Sequence, residues 1–465
     1  MKQRKARTAS RNRMERKGGG RPSAPVERGG VEKLVQIEKP IYGGAFLTHS
    51  EGKAVFVPLA LPGEQARVRI VESKRGYATA EVEEIVGAAG ERVAPACRHF
   101  GVCGGCSYQH AGYATQLAFK KAILQETLER GGVRAPEEIS VLAAVTEAQA
   151  WGYRNRIRLA LDADGNPGYR GRRSHAVIAV AECPIAAPLL VRAAQNFAAV
   201  ARALPLPLRA MEISLFCDAS ESALLASVST AGDAKGRGNS FDEFARAVAE
   251  QVSALKGIEF VAEEQSGGRR SVPAQRTVAQ WGEPGLNYRA AGFDYRVDHG
   301  AFFQVNRWLV DGLVEEVTAG KKGALAWDLF AGVGLFARKL TESFARVVAV
   351  ESAPPAIAAL KENLRGTSGS GVCTSALEFL QRRNKAERPD LVVVDPPRTG
   401  LDAEITKLLA EVGAPELTYV SCDPATLARD LRALLGSGYA IQSMTLADLF
   451  PQTFHLETVV HLRRC

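Results

Sequence analysis

The stretch WDLFAGVGLF, residues 327–336, is typical of a buried strand that leads into a glycine turn and then a helix. Apolar strands alternate with helical stretches throughout this part of the chain. The predicted strands cover residues 324–330, 347–351, 391–395 and 417–422, and the predicted helices cover residues 335–343, 355–365, 403–412 and 425–435. Such alternation indicates parallel strands joined by helices. The sequence therefore predicts an α/β fold with a doubly wound, Rossmann-like domain at residues 296–465.

The turn after the first of these strands predicts a nucleoside site. Gly332 and Gly334 let a ligand approach the backbone closely. Glu351 follows Asp328 by 23 residues, where a carboxylate suits ribose hydroxyls. The third glycine of the dinucleotide fingerprint and the Lys-Ser/Thr pair of a phosphate loop are both missing. This combination favours S-adenosylmethionine (SAM), a nucleoside without pyrophosphate, over a Rossmann-like core that has no cofactor.

Four predicted strands end in reactive or polar side chains: Asp328, Glu351, Asp395 and Cys422. Because ligands bind at the carboxyl ends of the strands in an open α/β sheet, one crevice can collect all four. Cys422 is followed by Asp423, a predicted helix cap, and by Pro424 at the first helical position. The helix N-terminus favours the thiolate and the charge of Asp423 opposes it. We therefore predict an activatable thiol.

A thiolate beside a methyl donor suggests methylation at C5 of a pyrimidine. Attack on C6 makes C5 nucleophilic, and a base must then remove the C5 proton so that the thiol can leave. The segment DLFPQTFHLETVVHL, residues 448–462, offers His455 and Glu457 as that base. Two other reactions fit the sequence less well. DPPR lacks the aromatic residue typical of exocyclic-amine methylation, and the chain lacks the Pro-Cys pair typical of cytosine C5 methylation at Cys422.

The N-terminal part has a different pattern. Residues 31–88 alternate in short strands with Pro-Gly and Arg-Gly turns, which predicts a small β-barrel. Residues 1–28 carry ten Lys/Arg against two acidic residues, so the net charge of +8 lies there. We predict a disordered tail at residues 1–30, either an RNA-binding arm or a solubilising segment. The chain shows no signal-peptide pattern and no long apolar stretch, so we predict a cytoplasmic protein without membrane contact, and a monomer.

A central domain is predicted at residues 89–295, and four cysteines lie in it: Cys97, Cys103, Cys106 and Cys183. Four thiolates fit a [4Fe–4S] cluster or a structural zinc, for which His99 and His110 are spare ligands. The residues alone leave that choice open, as well as that of plain reduced cysteines. The same domain has a basic cluster with Tyr153 and Tyr169 interleaved: Arg154, Arg156, Arg158, Arg170, Arg172 and Arg173. This cluster fits either RNA contact or a solvated face.

Five motifs together resemble those of the RNA 5-methyluridine methyltransferases. In chain order they are FFQVN, DLFAGVGLF, DPPRTG, SCDPATLARD and FPQTFHLETV. Residues 31–87 resemble a TRAM domain, and the cysteine set resembles that of iron–sulfur members that modify large-subunit ribosomal RNA. The resemblance implies that Cys422 is the nucleophile, that Glu457 rather than His455 accepts the proton, and that the four cysteines hold a [4Fe–4S] cluster. The chain departs from the family pattern at Leu335 and around Thr374–Ser375.

The sequence thus predicts a β-barrel, a mixed central domain with an iron–sulfur cluster, and a SAM-dependent methyltransferase domain. The expected reaction forms 5-methyluridine in RNA through an adduct between Cys422 and C6, with 23S rRNA as the expected substrate. The alternatives are a tRNA uridine as substrate and a non-catalytic RNA-binding protein. The resemblance implies that the cofactor and uracil pocket is lined by Gln304, Phe330, Glu351 and Asp395. The glycine turn adds Asp328, Gly332 and Gly334 as predicted cofactor contacts.

Overall fold

The computed structural model describes residues 30–204, 209–231, 238–263 and 275–465. All but one residue of the predicted basic tail, residues 1–30, lies outside these ranges. Across the described ranges, we find no helix that combines the length and the apolar character needed to span a bilayer.

The first part of the described chain is a curled sheet. Its strands are β1 (Glu32–Gln36), β2 (Lys39–Pro40), β3 (Ala45–Ser50), β4 (Lys53–Pro58), β5 (Gln65–Ser73) and β6 (Tyr77–Gly87). They follow the order β1-β5-β6-β4-β3-β2, and contact between β1 and β3 shows that the sheet curls onto itself. Alternate side chains such as Phe46, Val57 and Val68 are buried inside, because successive residues of a strand point to opposite faces. The predicted barrel-like domain is confirmed.

The next segment supports the C-terminal part of the molecule. Helix α1 (Tyr113–Arg130) packs against a helix near the end of the chain, and the short strand β7 (Ser140–Leu142) extends the C-terminal sheet at its edge. A single 3₁₀ turn follows at Glu147–Ala150. Part of the segment predicted as central therefore packs against the predicted methyltransferase domain.

The central sheet has helices on one face. Its elements are β8 (Arg156–Leu161), β9 (Pro167–Arg170), β10 (Val177–Ala179), α2 (Pro188–Ala203), β11 (Arg209–Cys217), β12 (Leu224–Ala231), α3 (Gly238–Gln251), β13 (Leu255–Glu263) and β14 (Gln275–Gly282). The described strands follow the order β10-β9-β8-β11-β12-β13-β14. The aromatic rings of Phe197, Phe241, Phe244 and Phe260 form the core between the sheet and the two helices. Hairpin β15 (Gly285–Ala290) and β16 (Phe293–Asp298) then leads into the last part.

The C-terminal part is a doubly wound sheet. Its elements are α4 (Val310–Thr318), β17 (Gly323–Leu329), α5 (Leu335–Leu340), β18 (Phe344–Glu351), α6 (Pro354–Asn363), β19 (Gly369–Cys373), α7 (Ala376–Arg382), β20 (Leu391–Val394), α8 (Ala403–Val412), β21 (Glu416–Ser421), α9 (Pro424–Leu435), β22 (Tyr439–Ala447) and β23 (Glu457–Arg464). The order is β19-β18-β17-β20-β21-β23-β22-β7. Strands β17 to β21 are parallel and β23 is antiparallel to β21. Apolar cores on both faces explain why these strands read as continuous apolar runs, and the predicted α/β class is confirmed.

Candidate active site

The glycine turn after β17 is held by two carboxylates. Asp328 accepts a hydrogen bond from the backbone N–H of Ala337 at 2.9 Å, and Glu351 accepts one from that of Gly332, also at 2.9 Å. Phe330, Gly332 and Gly334 all have positive φ, at 65°, 55° and 89°. The carboxylate expected to read ribose thus also fixes the turn.

The space in front of this turn suits a nucleoside. A Cβ built on Gly332 would meet no atom within 4 Å, so this side of the turn is open. Asp328 is fully buried, and its Oδ1 atom has no hydrogen-bond partner among the described residues. Burial raises the pKa of Asp328 to about 8, and the charges of Asp395 and Glu351 act in the same direction. A buried, unsatisfied carboxyl beside an open turn is what a hydroxyl- or amine-bearing ligand would satisfy.

One cavity gathers several of the predicted cofactor and uracil residues. It is lined by residues 302–304, residues 330–333, Leu335, Phe336 and Asp395. Gln304 and Asp395 therefore line the same cavity as the glycine turn, whereas Asp328 and Glu351 contact the turn through backbone N–H groups. Phe302, at the rim, is 59% exposed although it is a large apolar side chain. An exposed ring at the rim of a largely apolar cavity that also holds an amide and a carboxyl is a ready stacking surface for a base.

Cys422 lies between the end of β21 and the start of α9. As predicted, Asp423 caps this helix: its Oδ1 atom accepts hydrogen bonds from the N–H groups of Ala425 and Thr426, both at 3.0 Å. Pro424 occupies the first helical turn. The cap satisfies these two N–H groups at the start of α9, so Cys422 lies directly before the N-terminus of a capped helix.

The thiol is surrounded by acidic groups. Burial raises the pKa of Cys422 to about 12, and the charges of Glu457, Asp395 and Asp423 act in the same direction, whereas Arg398 opposes them. Burial also raises the pKa of Asp395 to about 7. Glu457, at the first residue of β23, has its pKa raised well above the usual range by burial and by Asp395. Burial and neighbouring acidic groups therefore favour the protonated forms of the Cys422 thiol and of the Asp395 and Glu457 carboxyls.

His455, the other candidate base, has a different environment. Its Nδ1 atom lies 3.2 Å from Nη2 of Arg398, which donates to it, and its ring is 4.1 Å from that of Phe454. Burial lowers the pKa of His455 to about 4, and the positive charges of Arg398, Arg154 and Lys120 contribute. The imidazole is thus neutral near pH 7 and a weak base.

The loop that carries His455 is anchored by a buried lysine. Lys120 of α1 and Asp448 form an ion pair whose side chains are both fully buried. Lys120 also donates to the carbonyl of Phe450 at 2.9 Å, and the hydroxyl of Tyr113 donates to Asp448 at 2.9 Å. Sequence reasoning missed this support, since a lysine within a helical pattern gives no signal that it will be buried.

The curled sheet also contributes a residue to the site. Tyr42, after β2, donates from its hydroxyl to the backbone carbonyl of Cys422 at 3.4 Å, and its ring packs edge-on against Phe454 at 5.6 Å. Gly44 permits this approach because its φ is 83° and a Cβ there would lie 2.9 Å from Ser107. The Gly-Gly pair after Tyr42 was the available sequence signal, and it did not indicate a contact with Cys422.

The predicted cysteine set comes together elsewhere. Cys97, Cys103, Cys106 and Cys183 all line one cavity of about 40 Å³. Burial raises the pKa of Cys106 to about 12 and also raises that of Cys97 and of Cys103. His99 lines the same cavity, and its buried Nε2 atom has no partner among the described residues, whereas Nε2 of His110 lies 3.0 Å from the carbonyl of Ala60 instead. Within the described ranges, no group of three or more His, Cys, Asp or Glu side chains is arranged to hold a metal ion.

The predicted arginine cluster divides into separate environments. Strand β8 begins at Arg156, and Arg154 instead forms isolated bridges with Ala186 and Asn306. Arg154 faces the cysteine cavity, whereas Arg156 and Arg158 line a different cavity over the central sheet. Arg154 therefore lies apart from Arg156 and Arg158, because strand β8 starts two residues after it.

Comparison with known proteins agrees with this architecture. Residues 279–465 match the family model of tRNA (uracil-5-)-methyltransferases, and residues 28–82 match that of the TRAM domain. An uncharacterized RNA methyltransferase of Streptomyces avermitilis is 32% identical over 93% of this chain and 98% of its own length. The 23S rRNA (uracil(1939)-C(5))-methyltransferase RlmD of Halomonas elongata is 31% identical over 89% of this chain and 85% of its own length.

Among solved structures, that of the Pyrococcus abyssi tRNA (uracil-54, C5)-methyltransferase in complex with S-adenosyl-L-homocysteine has a TM-score of 0.72. It is 23% identical and covers 92% of this chain and all of its own, so the two proteins share the fold. Taken with the full-length relatives, these matches establish the class of enzyme. The chain belongs to the family of SAM-dependent RNA uracil-C5 methyltransferases.

Proposed function

We propose that this enzyme forms 5-methyluridine in 23S rRNA and that Cys422 is its nucleophile. The observation that carries the proposal is the meeting of three groups at neighbouring strand ends: the Cys422 thiol and the carboxyls of Asp395 and Glu457, each close enough to shift the pKa of another. The relatives named for 23S rRNA modification support this choice of substrate. The wider target class, RNA uridine, follows from the family.

In the proposed site, the open turn holds the cofactor. Asp328, Phe330, Gly332, Gly334 and Glu351 would surround it, and when bound SAM supplies an electrophilic methyl group. The fit rests on the unsatisfied Oδ1 of Asp328 and on the free space at Gly332.

Gln304 and Asp395 are proposed to hold the target base. Gln304 is buried, and its backbone is fixed because Asn155 donates to its carbonyl at 2.8 Å. An amide and a protonated carboxyl offer the donors and acceptors that a uracil edge requires. A base reaches this cavity only when it is unstacked, so a loop or remodelled segment of RNA is the expected substrate.

The protein side chains then carry the covalent chemistry. The Cys422 thiol gives up its proton to solvent, its sulfur bonds to C6 of the uracil, and the electron pair of the C5–C6 π bond moves towards O4, so that C5 becomes nucleophilic. After methylation, Glu457 removes the proton from C5 and the C6–S bond breaks. Because its pKa is raised, the Glu457 carboxyl must first lose its proton; its carboxylate is then a stronger base than that of an exposed glutamate. His455, with a pKa of about 4, is proposed only to position Arg398.

The test uses RNA with 5-fluorouridine at the target position. Fluorine at C5 blocks the elimination, so wild-type enzyme with SAM should remain bound to the RNA in a denaturing gel. Cys422→Ala should give no adduct, whereas Cys373→Ser, at an exposed cysteine, should behave as wild type. Fragments of 23S rRNA and whole tRNA are compared in parallel. An adduct on tRNA alone would contradict the rRNA assignment, and no adduct on either RNA would contradict the mechanism.

We also propose that the four-cysteine cavity holds a [4Fe–4S] cluster. A cluster shares its four thiolates among several irons and so spaces them more widely than one zinc ion does. Support comes from the donor set, since four thiols face one small space. When bound, the cluster would lock residues 97–106 onto Cys183. Anaerobic reconstitution should give stoichiometric iron and sulfide, and Cys183→Ala should lower bound iron several-fold, whereas Cys465→Ser, at the exposed C-terminus, should not. Zinc in place of iron would contradict the proposal.

The functional division that we propose keeps the predicted boundaries: residues 31–88 as TRAM-like barrel, 89–295 as central domain and 296–465 as methyltransferase domain. The contacts of α1 and β7 with the last of these support close packing of the central and methyltransferase parts.

A further inference from the structure

One feature that the proposed chemistry leaves unused is a cavity over the central sheet. It has a volume of about 280 Å³ and lies on the face that α2 and α3 do not cover. Alternate residues of β8, β11, β12 and β13 form its floor, and residues 298–300 form one wall. The volume is close to the lower end of small-molecule sites, which begins at roughly 300 Å³. One planar group therefore fits.

Arg156 is the unusual residue in this cavity. No carboxylate of the described chain lies within ion-pair distance of it, and its buried Nε atom makes no hydrogen bond there. Its guanidinium stacks over the ring of Phe216, with its central carbon 4.5 Å from the ring centroid. Burial lowers the pKa of Arg156 to about 10, so it stays charged at neutral pH. A half-buried cation that has lost part of its hydration and has no ionic partner favours a ligand that satisfies it.

The rest of the lining mixes donors and acceptors. The hydroxyls of Ser214, Ser227 and Ser229 line the floor, and three carboxylates stand at the walls: Glu212, Glu259 and Asp298. These carboxylates already have partners, namely Arg158, Thr277 and Arg296 respectively. Three carboxylates repel a phosphate group. The edge of a nucleobase presents donors and acceptors side by side, and its face stacks on a guanidinium plane, so a base fits this lining better than a phosphate does.

The cavity is connected to the proposed uracil site. Asn155, next to Arg156, donates to the carbonyl of Gln304 at 2.8 Å. Below Arg156, Phe216 stacks on Tyr288 with ring centroids 5.9 Å apart, and Tyr288 contacts Phe303 at 4.4 Å. Gln304 follows Gly300, at the cavity wall, by four positions, a span of at most about 14 Å. A few nucleotides of RNA can bridge that distance.

We propose that this cavity binds a second unstacked nucleobase of the RNA substrate, from a nucleotide that flanks the target uridine. Arg156 stacks on this base or donates to its edge, and the serine hydroxyls and carboxylates read the remaining edge atoms. The inference rests on the proposed function, because the ligand is the same RNA. It assigns to the central domain a part in choosing the substrate that the methylation chemistry itself does not require.

The experiment is a double-mutant cycle between enzyme and RNA. Affinity is measured for 23S rRNA fragments in which each nucleotide near the target is replaced in turn by an abasic one. For the wild type, we expect a loss of at least about tenfold at one flanking position, the scale of one stacked base. For Arg156→Gln, the same abasic replacement should cost nothing further, because the partner is already gone. Arg289→Gln, at an exposed arginine paired with Asp294, is the matched control and should show additive losses.

A second variant provides an independent test in case Arg156→Gln does not fold. Ser214→Leu keeps the arginine and fills the cavity, so it should remove the same position-specific loss. Thermal melting of both variants shows whether they fold. Wild-type enzyme with 5-fluorouridine RNA tests the proposed function separately, since an adduct forms whether or not the second base is bound. If the adduct forms but every abasic loss is additive with both variants, the inference is overturned. A uniform loss with a lower salt slope, the signature of a phosphate contact, overturns it too.

Discussion

Two groups of half-buried thiols in this molecule, Cys422 and the four-cysteine set, differ in their neighbours rather than in their exposure. Cys422 and Cys106 both have a pKa raised to about 12, and burial is the main cause in each case. Around Cys422 the other charges are mostly carboxylates, whereas around Cys106 they come from further thiols and from Arg154. Burial alone makes both thiols unreactive. A single thiol among acids can transfer its proton during catalysis, and four thiols around one cavity can share a metal centre.

The largest effect on methyl transfer is expected when the isolated thiol of Cys422 is removed. Cys422→Ala should lower methyl transfer to unmodified RNA at least about a thousandfold, because the covalent step is lost outright. Initial rates with radiolabelled SAM measure the effect. Cys217→Ala, at a buried cysteine of the central core, is the matched control and should change the rate less than about threefold. A Cys422→Ala enzyme within tenfold of wild type would contradict the nucleophile assignment.

The loop between the two thiol sites should be the next most sensitive element. Phe450 lies beside Arg154 of the cysteine cavity, and His455 lies beside Arg398 near Cys422. Lys120→Met removes the buried partner of Asp448 and should lower the free energy of unfolding by about 3–5 kcal/mol. Lys39→Met, which breaks a surface pair with Glu126, should cost less than about 1 kcal/mol. Urea unfolding compares the two, and equal losses would contradict the burial argument.

A smaller effect is expected from replacing Asp395, and it tests how a neighbouring carboxylate controls the reactivity of Cys422. Above pH 7 Asp395 is ionised, and its charge raises the pKa of Cys422. Asp395→Asn should therefore lower that pKa and speed alkylation of Cys422 by iodoacetamide, several-fold at pH 8, as judged by peptide mass spectrometry. Below pH 6 Asp395 is protonated in the wild type, so the two proteins should react alike. Alkylation of Cys97 should not change at either pH, since Asp395 is not among the charges that act on it.

The smallest effect is expected at His455. With a pKa of about 4, this imidazole is neutral throughout pH 6–9. His455→Gln should keep the shape of the pH–rate profile and lower the rate less than about tenfold, because only the contact with Arg398 is lost. Single-turnover rates across that pH range provide the measurement. Disappearance of a pH-dependent limb in the variant would instead make His455 the base, in place of Glu457.

Much of the catalytic edge could be predicted from local sequence. Asp328, Glu351, Asp395 and Cys422 were each placed at a strand end, and the structure puts them along one edge of the sheet. The prediction works because parallel strands joined by helices present all their carboxyl ends on the same side. The cap by Asp423 follows from its own neighbours in the chain. The boundaries also agree closely, with the predicted strand 324–330 found at Gly323–Leu329.

Contacts between distant segments could not be predicted in this way. Tyr42 meets Cys422 across 380 residues of sequence, and Lys120 meets Asp448 across 328. No periodicity encodes such pairs. The separation of Arg154 from Arg156 depends on where β8 starts, which is set by pairing with β11 and not by the alternation of the residues themselves.

Short-range periodicity and residue types were enough to predict the α/β class, the curled N-terminal sheet, the glycine turn and the position of Cys422 at a strand end. Three features became visible in the folded structure alone: α1 supports the loop that carries His455, Tyr42 contacts the backbone of Cys422, and a polar cavity opens over the central sheet. Those features arise where separately folded elements pack together, and packing is set by the shapes and charges of whole surfaces.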